Sequence, residues 1–403
     1  MPSPGDVNSG HQVQLLRGST AYFSALVAAM DASQHEIRLE TYIFTLQGAA
    51  EQVAQALLRA AQRGVAVYLV VDGVGTPELP AQWVEKFDAA GVHWHVFSPL
   101  GRWGLLLPSR WRRLHRKLCV VDAQVAFCGG INILDDWLDP HHGALAAPRF
   151  DFALRIIGRL VGEVQTTMEQ FWWRLQTLQR VRQVDWAGTR QAWRQLNLPL
   201  WPRGQAQAGA IEGVRAALVL RDNLLHRSRI ERAYRVALAN AHHDIVLANA
   251  YFLPGRKIRR ALRLAAQRGV RVRLLLQGRY EYFMQYHATH ALYGPLLSAG
   301  IEIYEYQASF LHAKVAVVDD HWATVGSSNM DPLSLLLARE ANVVLDDGDF
   351  ALTLRQELEW AMQHDSTRLD RQAHAQRSWR LKLLDHGALL LMRLLLFVNG
   401  KRY

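Results

Sequence analysis

Cysteine is nearly absent: the 403-residue chain has two, Cys119 and Cys128. Two cannot build a disulfide scaffold or a cysteine-rich metal centre, and such scarcity fits a reducing compartment. Both stand in apolar runs, where a small buried core residue is the expected role. Also missing is any uncharged run near the roughly 18–20 residues that a membrane-spanning helix needs. Residues 1–20 carry no apolar stretch behind a positive cluster, so no secretory leader is expected there. Acidic residues are the minority, 36 against 46 Lys and Arg, for a formal net charge of +10. That imbalance points to anionic partners: nucleic acid, acidic lipid or a phosphorylated substrate. Apolar residues, by contrast, make up 50% of the chain, enough at this length for more than one core.

The chain repeats itself. The run from His35 to Phe44 is similar to that from His243 to Phe252, and Ala-Ala-Gln-Arg-Gly-Val occurs unchanged at 60–65 and 265–270. Ala90-Gly91-Val92 answers Ala299-Gly300-Ile301, so three matches are collinear at offsets of 208, 205 and 209. Each half reads as strand, helix, strand. The first has strands at 37–44 and 65–71 around a helix at 49–63 that stops at Gly64. The second has strands at 245–252 and 270–276, with a helix ending before Gly269. Arg271 and Arg273 make the start of that last strand look less buried than its counterpart. Strands alternating with helices imply an α/β fold, a sheet covered by helices. The expected divisions are a first half at 1–190, a Gln-, Gly-, Pro- and Ala-rich connection at 191–213, a second half at 214–368 and a basic tail at 369–403.

Late in each half stands His-x-Lys-x4-Asp: His115, Lys117 and Asp122, then His312, Lys314 and Asp319. Each continues to a Gly-x-x-Asn strand end, at Gly129 to Asn132 and Gly326 to Asn329. On a strand, residues i and i+2 share a face, so each His and Lys point together and the Asp does not. An imidazole beside an ammonium is a poor metal ligand and a good phosphate site. Two such pairs face to face surround one phosphodiester: one His attacks phosphorus and the other protonates the leaving oxygen. The lysines, with Asn132 and Asn329, hold the phosphoryl oxygens as charge shifts. Asp151 and Glu340 follow the two motifs at the edge of apolar runs and are candidates to orient the histidines. Asp122 and Asp319 are expected to tie a strand end to its turn. A single His-x-Lys is commonplace; two in matching positions of a duplication point to function. The pairs His141-His142 and His242-His243 read as exposed or element-ending residues, not metal ligands.

Paired motifs of this kind resemble the phospholipase D superfamily over about residues 12–365. The resemblance implies two pseudo-symmetric α/β/α sandwich halves sharing one active site at their interface. It implies chemistry without metal or other cofactor, through a covalent phosphohistidine, with His115 as nucleophile and His312 as general acid. Asp151 and Glu340 match the acids that orient the histidines, and Ser327 joins Asn132 and Asn329 as a phosphate contact. The first half departs from the pattern with Gly130 where Ser327 stands in the second. The run Leu311 to Asp320, with Trp322 to Ser334 and Ala248 to Gly255, is similar to bacterial cardiolipin synthases of the B type. Such enzymes move a phosphatidyl group from one phosphatidylglycerol to a hydroxyl of another and release glycerol. A phospholipase D-type hydrolase or a nuclease of the same fold stays open as the alternative.

Two further segments speak for a membrane surface. From Gly91 to His115 is 24 residues, against 12 from Gly300 to His312. The longer segment holds Trp103, Leu106, Trp111, Arg112 and Arg113, a mixture suited to a lipid–water interface and anionic headgroups. From Arg377 onward there are six Lys or Arg against one Asp. A central Arg such as Arg393 costs a spanning helix about 2.5–3.5 kcal/mol, which favours a helix lying in the interface. The expected partners are an anionic phospholipid substrate and a membrane surface, with no nucleic acid, and the expected place is peripheral, on the cytoplasmic side of a bacterial inner membrane. The aromatic-rich segment 280–286 fits either an acyl channel or core packing.

Overall fold

The computed structural model describes residues 8–101, 108–139, 142–182, 213–222, 226–331 and 338–398. Most of the connection expected at 191–213 lies outside them. The first half holds strands β1 (Asn8–Arg17), β2 (Glu36–Thr41), β3 (Ala66–Asp72), β4 (His93–Phe97), β5 (Arg113–Leu114), β6 (Lys117–Val121), β7 (Val125–Gly129), β8 (Leu138–Asp139), β9 (Gly143–Ala144) and β10 (Phe152–Ile157). The second holds β11 (Val214–Arg221), β12 (Asp244–Asn249), β13 (Arg271–Gln277), β14 (Glu302–Tyr306), β15 (Lys314–Val318), β16 (Trp322–Gly326), β17 (Ala338–Asp346) and β18 (Ser366–Arg368).

From the central pair outward, the first half runs β1-β10-β7-β6-β2-β3-β4 and the second β11-β17-β16-β15-β12-β13-β14. The duplication in sequence is thus a duplication of sheet topology, and β1 pairs antiparallel with β11 to join the halves edge to edge. In each half three strands are parallel, β2-β3-β4 and β12-β13-β14, and the motif strand lies antiparallel beside the first of them.

The repeated hexapeptide is a helix stop. Helices Glu51–Gln62 and Arg256–Gln267 end at Gly64 and Gly269, whose φ of 89° and 90° favours glycine. The N–H of the following valine reaches back to the carbonyl of Ala60 or Ala265, 3.1 Å in both, closing the last turn and launching β3 or β13.

Apolar side chains form one core on the outer face of each sheet and a common core between the halves. The common core is built from β6, β7, β10, β15, β16 and β17 with helices Leu160–Arg182 and Gly348–His364. Each sheet is covered on both faces, the expected α/β/α layering. Two details differ from the sequence reading. Phe44 is not in β2 but bridges to Ile133, because Asn132 Oδ1 and Thr76 Oγ1 take the neighbouring N–H groups of Ile43 and Phe44. Arg273 is buried, since Asp244 and Glu359 each accept from its guanidinium at 2.7 Å.

Candidate active site

The two histidines stand two residues before β6 and β15 instead of on them, so no continuous strand aligns each His with its Lys. The lysines fold back: Lys117 Nζ donates to the His115 carbonyl at 2.7 Å, and Lys314 Nζ lies 2.7 Å from His312 Nδ1. Both lysines are buried at the start of fully buried strands, while the His115 and His312 side chains keep 14% and 21% of their surface exposed. The imidazoles are therefore the reachable groups and the ammonium ions their support.

Each histidine meets a carboxylate from the other half. His115 Nδ1 is 3.0 Å from Glu340, and His312 Nδ1 is 2.6 Å from Asp151. Backbone exchange between the halves causes this crossing. β5 runs beside β17, with the His115 N–H donating to Arg339, the residue before Glu340. Phe150, before Asp151, bridges Leu311, and its carbonyl accepts the His312 N–H at 2.9 Å. A carboxylate on Nδ1 fixes the ring's proton there and leaves Nε2 with its lone pair.

The backbone before each histidine is pinned by a residue the sequence reading passed over. Asp72, at the end of β3, accepts from the Leu114 N–H at 2.7 Å, and Gln277, at the end of β13, accepts from the Leu311 N–H at 2.9 Å. A polar residue closing an apolar strand at the same place in both repeats was the available signal. Tyr42 packs its ring edge against His115, with centroids 5.0 Å apart.

Ser327 does not fit the role of a phosphate contact. It is fully buried, and its hydroxyl donates to Glu340 at 2.5 Å, so it holds the orienting acid. Gly130 explains the departure in the first half, because a Cβ there would lie 2.3 Å from Asp151 Oδ1. The shorter Asp151 packs against bare backbone where the longer Glu340 takes a hydroxyl. Asn132 uses its oxygen on the Ile43 N–H at 3.2 Å, and Asn329 Oδ1 is buried with no hydrogen-bond partner. Asp122 and Asp319 lie outside this centre. Each carboxylate collects three backbone N–H groups, from Gln34, His35 and Glu36 or from His242, His243 and Asp244.

Of the expected membrane contacts, Trp103 and Leu106 lie outside the described residues. Arg112 and Arg393 are exposed and Trp111 is half-buried. Arg113 is a correction: its guanidinium is tied to Asp72 at 3.1 Å and to the Ser98 carbonyl at 3.1 Å, because a buried carboxylate captures the nearest cation. Among the described residues no cluster of His, Cys, Asp and Glu could hold a metal ion.

Burial sets the charge state of the centre. It lowers the pKa of both histidines, that of His312 well below its ordinary value with Lys314 and Lys117 adding to the effect. Burial also brings Lys117 down to about 7, helped by Lys314, and Lys314 to about 8 against the pull of Asp151. Asp151 is pushed up to about 6. In the free enzyme the site thus holds neutral imidazoles and marginal cations, and an arriving phosphodiester anion favours protonation of both lysines and one histidine. One pH dependence follows. kcat/KM, which reports the free enzyme, already declines above the lowered pKa of His312, the general acid, and falls more steeply through pH 7–8 as Lys117, then Lys314, lose their charge. The kcat limb lies higher, since bound phosphate raises both lysines. A kcat/KM flat to pH 10 contradicts this assignment.

Two topologically equivalent halves and one centre of crossed His–carboxylate pairs flanked by lysines define the phospholipase D class of phosphodiester-transfer folds. The family described as cardiolipin synthase, PLD-like domain, matches residues 26–144 and 234–362. Cardiolipin synthase B of Escherichia coli K12 is 37% identical over 371 residues, 92% of this chain and 85% of that protein. Cardiolipin synthase of Geobacillus kaustophilus is 31% identical over 96% of this chain and 73% of that protein. The chain belongs to the cardiolipin synthase family of phospholipase D-like proteins. Among solved structures, phosphatidylserine synthase of Haemophilus influenzae shares the fold at a TM-score of 0.67, covering 95% of this chain and 94% of that one at 11% identity.

Proposed function

We propose that this chain is a cardiolipin synthase that transfers a phosphatidyl group between two phosphatidylglycerol molecules through a phosphohistidine. The observation that carries the reading is the crossed pairing, which gives one shared centre two imidazoles each held at Nδ1 by a carboxylate from the other half. His115 Nε2 attacks phosphorus and forms the P–N bond while the P–O bond to glycerol breaks. His312 gives its proton to the departing glycerol oxygen. The hydroxyl of a second phosphatidylglycerol then passes its proton to His312 and attacks phosphorus, and the P–N bond breaks. Lys117, Lys314, Asn132 and Asn329 carry the phosphoryl charge, while Glu340 and Asp151 orient the rings.

A lipid substrate has to be met at a surface, and the tail suits one. Helix Trp379–Val398 docks on helix Phe283–Ser298 through a narrow stripe of Asp385, Ala388, Leu389 and Met392, with His287 Nδ1 2.7 Å from Asp385. Outside that stripe Leu381, Leu383, Leu384, Leu390, Leu391 and Leu394 are exposed beside Arg393. No described helix is long and apolar enough to cross a membrane. The reading is of a peripheral enzyme on an anionic surface, the cytoplasmic face of a bacterial inner membrane, with exposed leucines and basic side chains as the contact.

Vesicles of labelled phosphatidylglycerol test the reaction. Cardiolipin and glycerol are expected in equal amounts. Phosphatidic acid alone makes the chain a hydrolase of the same fold, and no lipid turnover with cleavage of nucleic acid makes it a nuclease.

A further inference from the structure

A pocket opens between the ends of β12 and β13 and helix Phe283–Ser298. Its cavity volume is small, about 20 Å³, and its mouth is open to solvent, so a ligand would seat across the mouth. Gln277 connects it to the chemistry. Its Oε1 holds the N–H of Leu311, the residue before His312, while its Nε2 is buried and without a hydrogen-bond partner. Gln285 supplies the complement, an Oε1 that is likewise buried and unpaired. The walls are largely aromatic, with Tyr251, Tyr282 and Tyr286 among them, and Tyr251 donates its hydroxyl to Glu281 at 3.0 Å.

A buried donor and a buried acceptor left unpaired are unfavourable, so the occupant that suits this pocket supplies both. An acyl chain supplies neither. A phosphate would face the Glu281 carboxylate, and the pocket's cation, Arg279, is turned to the Gln307 carbonyl at 3.0 Å. A small neutral polyol at the mouth meets these polar conditions: hydroxyls for Gln277 and Gln285, and C–H faces for the aromatic rings. We infer that this pocket binds the free glycerol end of the acceptor lipid, so that its hydroxyl and not water reaches the phosphohistidine. The inference rests on the transferase reading above and adds a residue-level origin for acceptor choice. Segment 280–286 is then neither an acyl channel nor core packing alone, but one wall of the acceptor site.

The test uses the full chain in detergent micelles, with saturation-transfer NMR on glycerol and on propan-1-ol, which lacks the diol. Wild type is expected to bind glycerol about tenfold more tightly than propan-1-ol, and Gln285→Leu to lose that preference. Gln277→Glu, which keeps the oxygen that holds Leu311 and removes the Nε2 donor, is expected to weaken glycerol binding similarly. In phosphatidylglycerol vesicles the ratio of cardiolipin to phosphatidic acid should fall about tenfold in Gln285→Leu. Equal glycerol binding by wild type and both variants, each with an unchanged melting temperature, overturns the inference. So does a wild type that binds propan-1-ol as well as glycerol. Because the NMR arm needs no turnover, glycerol binding through Gln285 in a chain that makes no cardiolipin contradicts the transferase reading and supports the pocket.

Discussion

Replacing His115 with alanine is expected to lower phosphatidyl transfer by at least about 10⁴-fold, to the background left by binding and lysine electrostatics. The size follows from the role: without the His115 Nε2 the nucleophile assigned to the P–N bond is gone, and His312 is placed to serve the leaving oxygen. His312→Ala is expected to be as severe on phosphatidylglycerol, because glycerol is a poor leaving group and needs the proton. The two variants part on a phosphatidyl ester of p-nitrophenol, whose leaving group departs unaided. His312→Ala should then release one equivalent of nitrophenol and stall, since no base remains to activate the acceptor. His115→Ala should release none. A burst from His115→Ala would reverse the two roles.

The next largest effects are expected at the orienting acids, and the crossing decides how they sort. Asp151→Asn and Glu340→Gln should each cost about 10²–10⁴-fold, since an amide favours the wrong ring tautomer while preserving shape. Asp151 follows His115 in sequence, yet it touches His312. Asp151→Asn should therefore behave like His312→Ala and keep its nitrophenol burst, while Glu340→Gln should lose it. The opposite sorting contradicts the crossed geometry. Ser327→Ala is the milder companion of Glu340→Gln, because it removes a hydrogen bond to the acid and leaves the acid in place.

Much of this was legible in the chain. The repeated hexapeptide, the two motifs and their constant spacing follow from a duplicated sheet, since equivalent strands need equivalent helix stops and turns. The aspartates Asp122 and Asp319 were readable for the same reason, each closing the same turn. The crossing of Asp151 and Glu340 was not. Linear spacing places an acid after each motif, but β5 and the Phe150 bridge form only when the halves meet, and they carry each histidine to the opposite acid. Arg113 was misplaced because a basic residue among tryptophans and leucines looks like surface. Its partner, Asp72, closes a strand 41 residues away. Ser327 was misjudged because its location beside the site says nothing of which way the hydroxyl points. The tail read as a helix in the membrane interface, and its described residues add the narrow stripe that docks it on the protein.

The claim on which the account rests is that both halves build one centre and only one histidine carries the phosphatidyl group. Rapid quenching during turnover of ³²P-labelled phosphatidylglycerol, followed by peptide mapping, tests it most directly. A single acid-labile, base-stable label is expected on the peptide containing His115, absent in His115→Ala and enriched in His312→Ala with the nitrophenyl ester. Turnover to cardiolipin with no label on either histidine, or with label shared equally between His115 and His312, would contradict it.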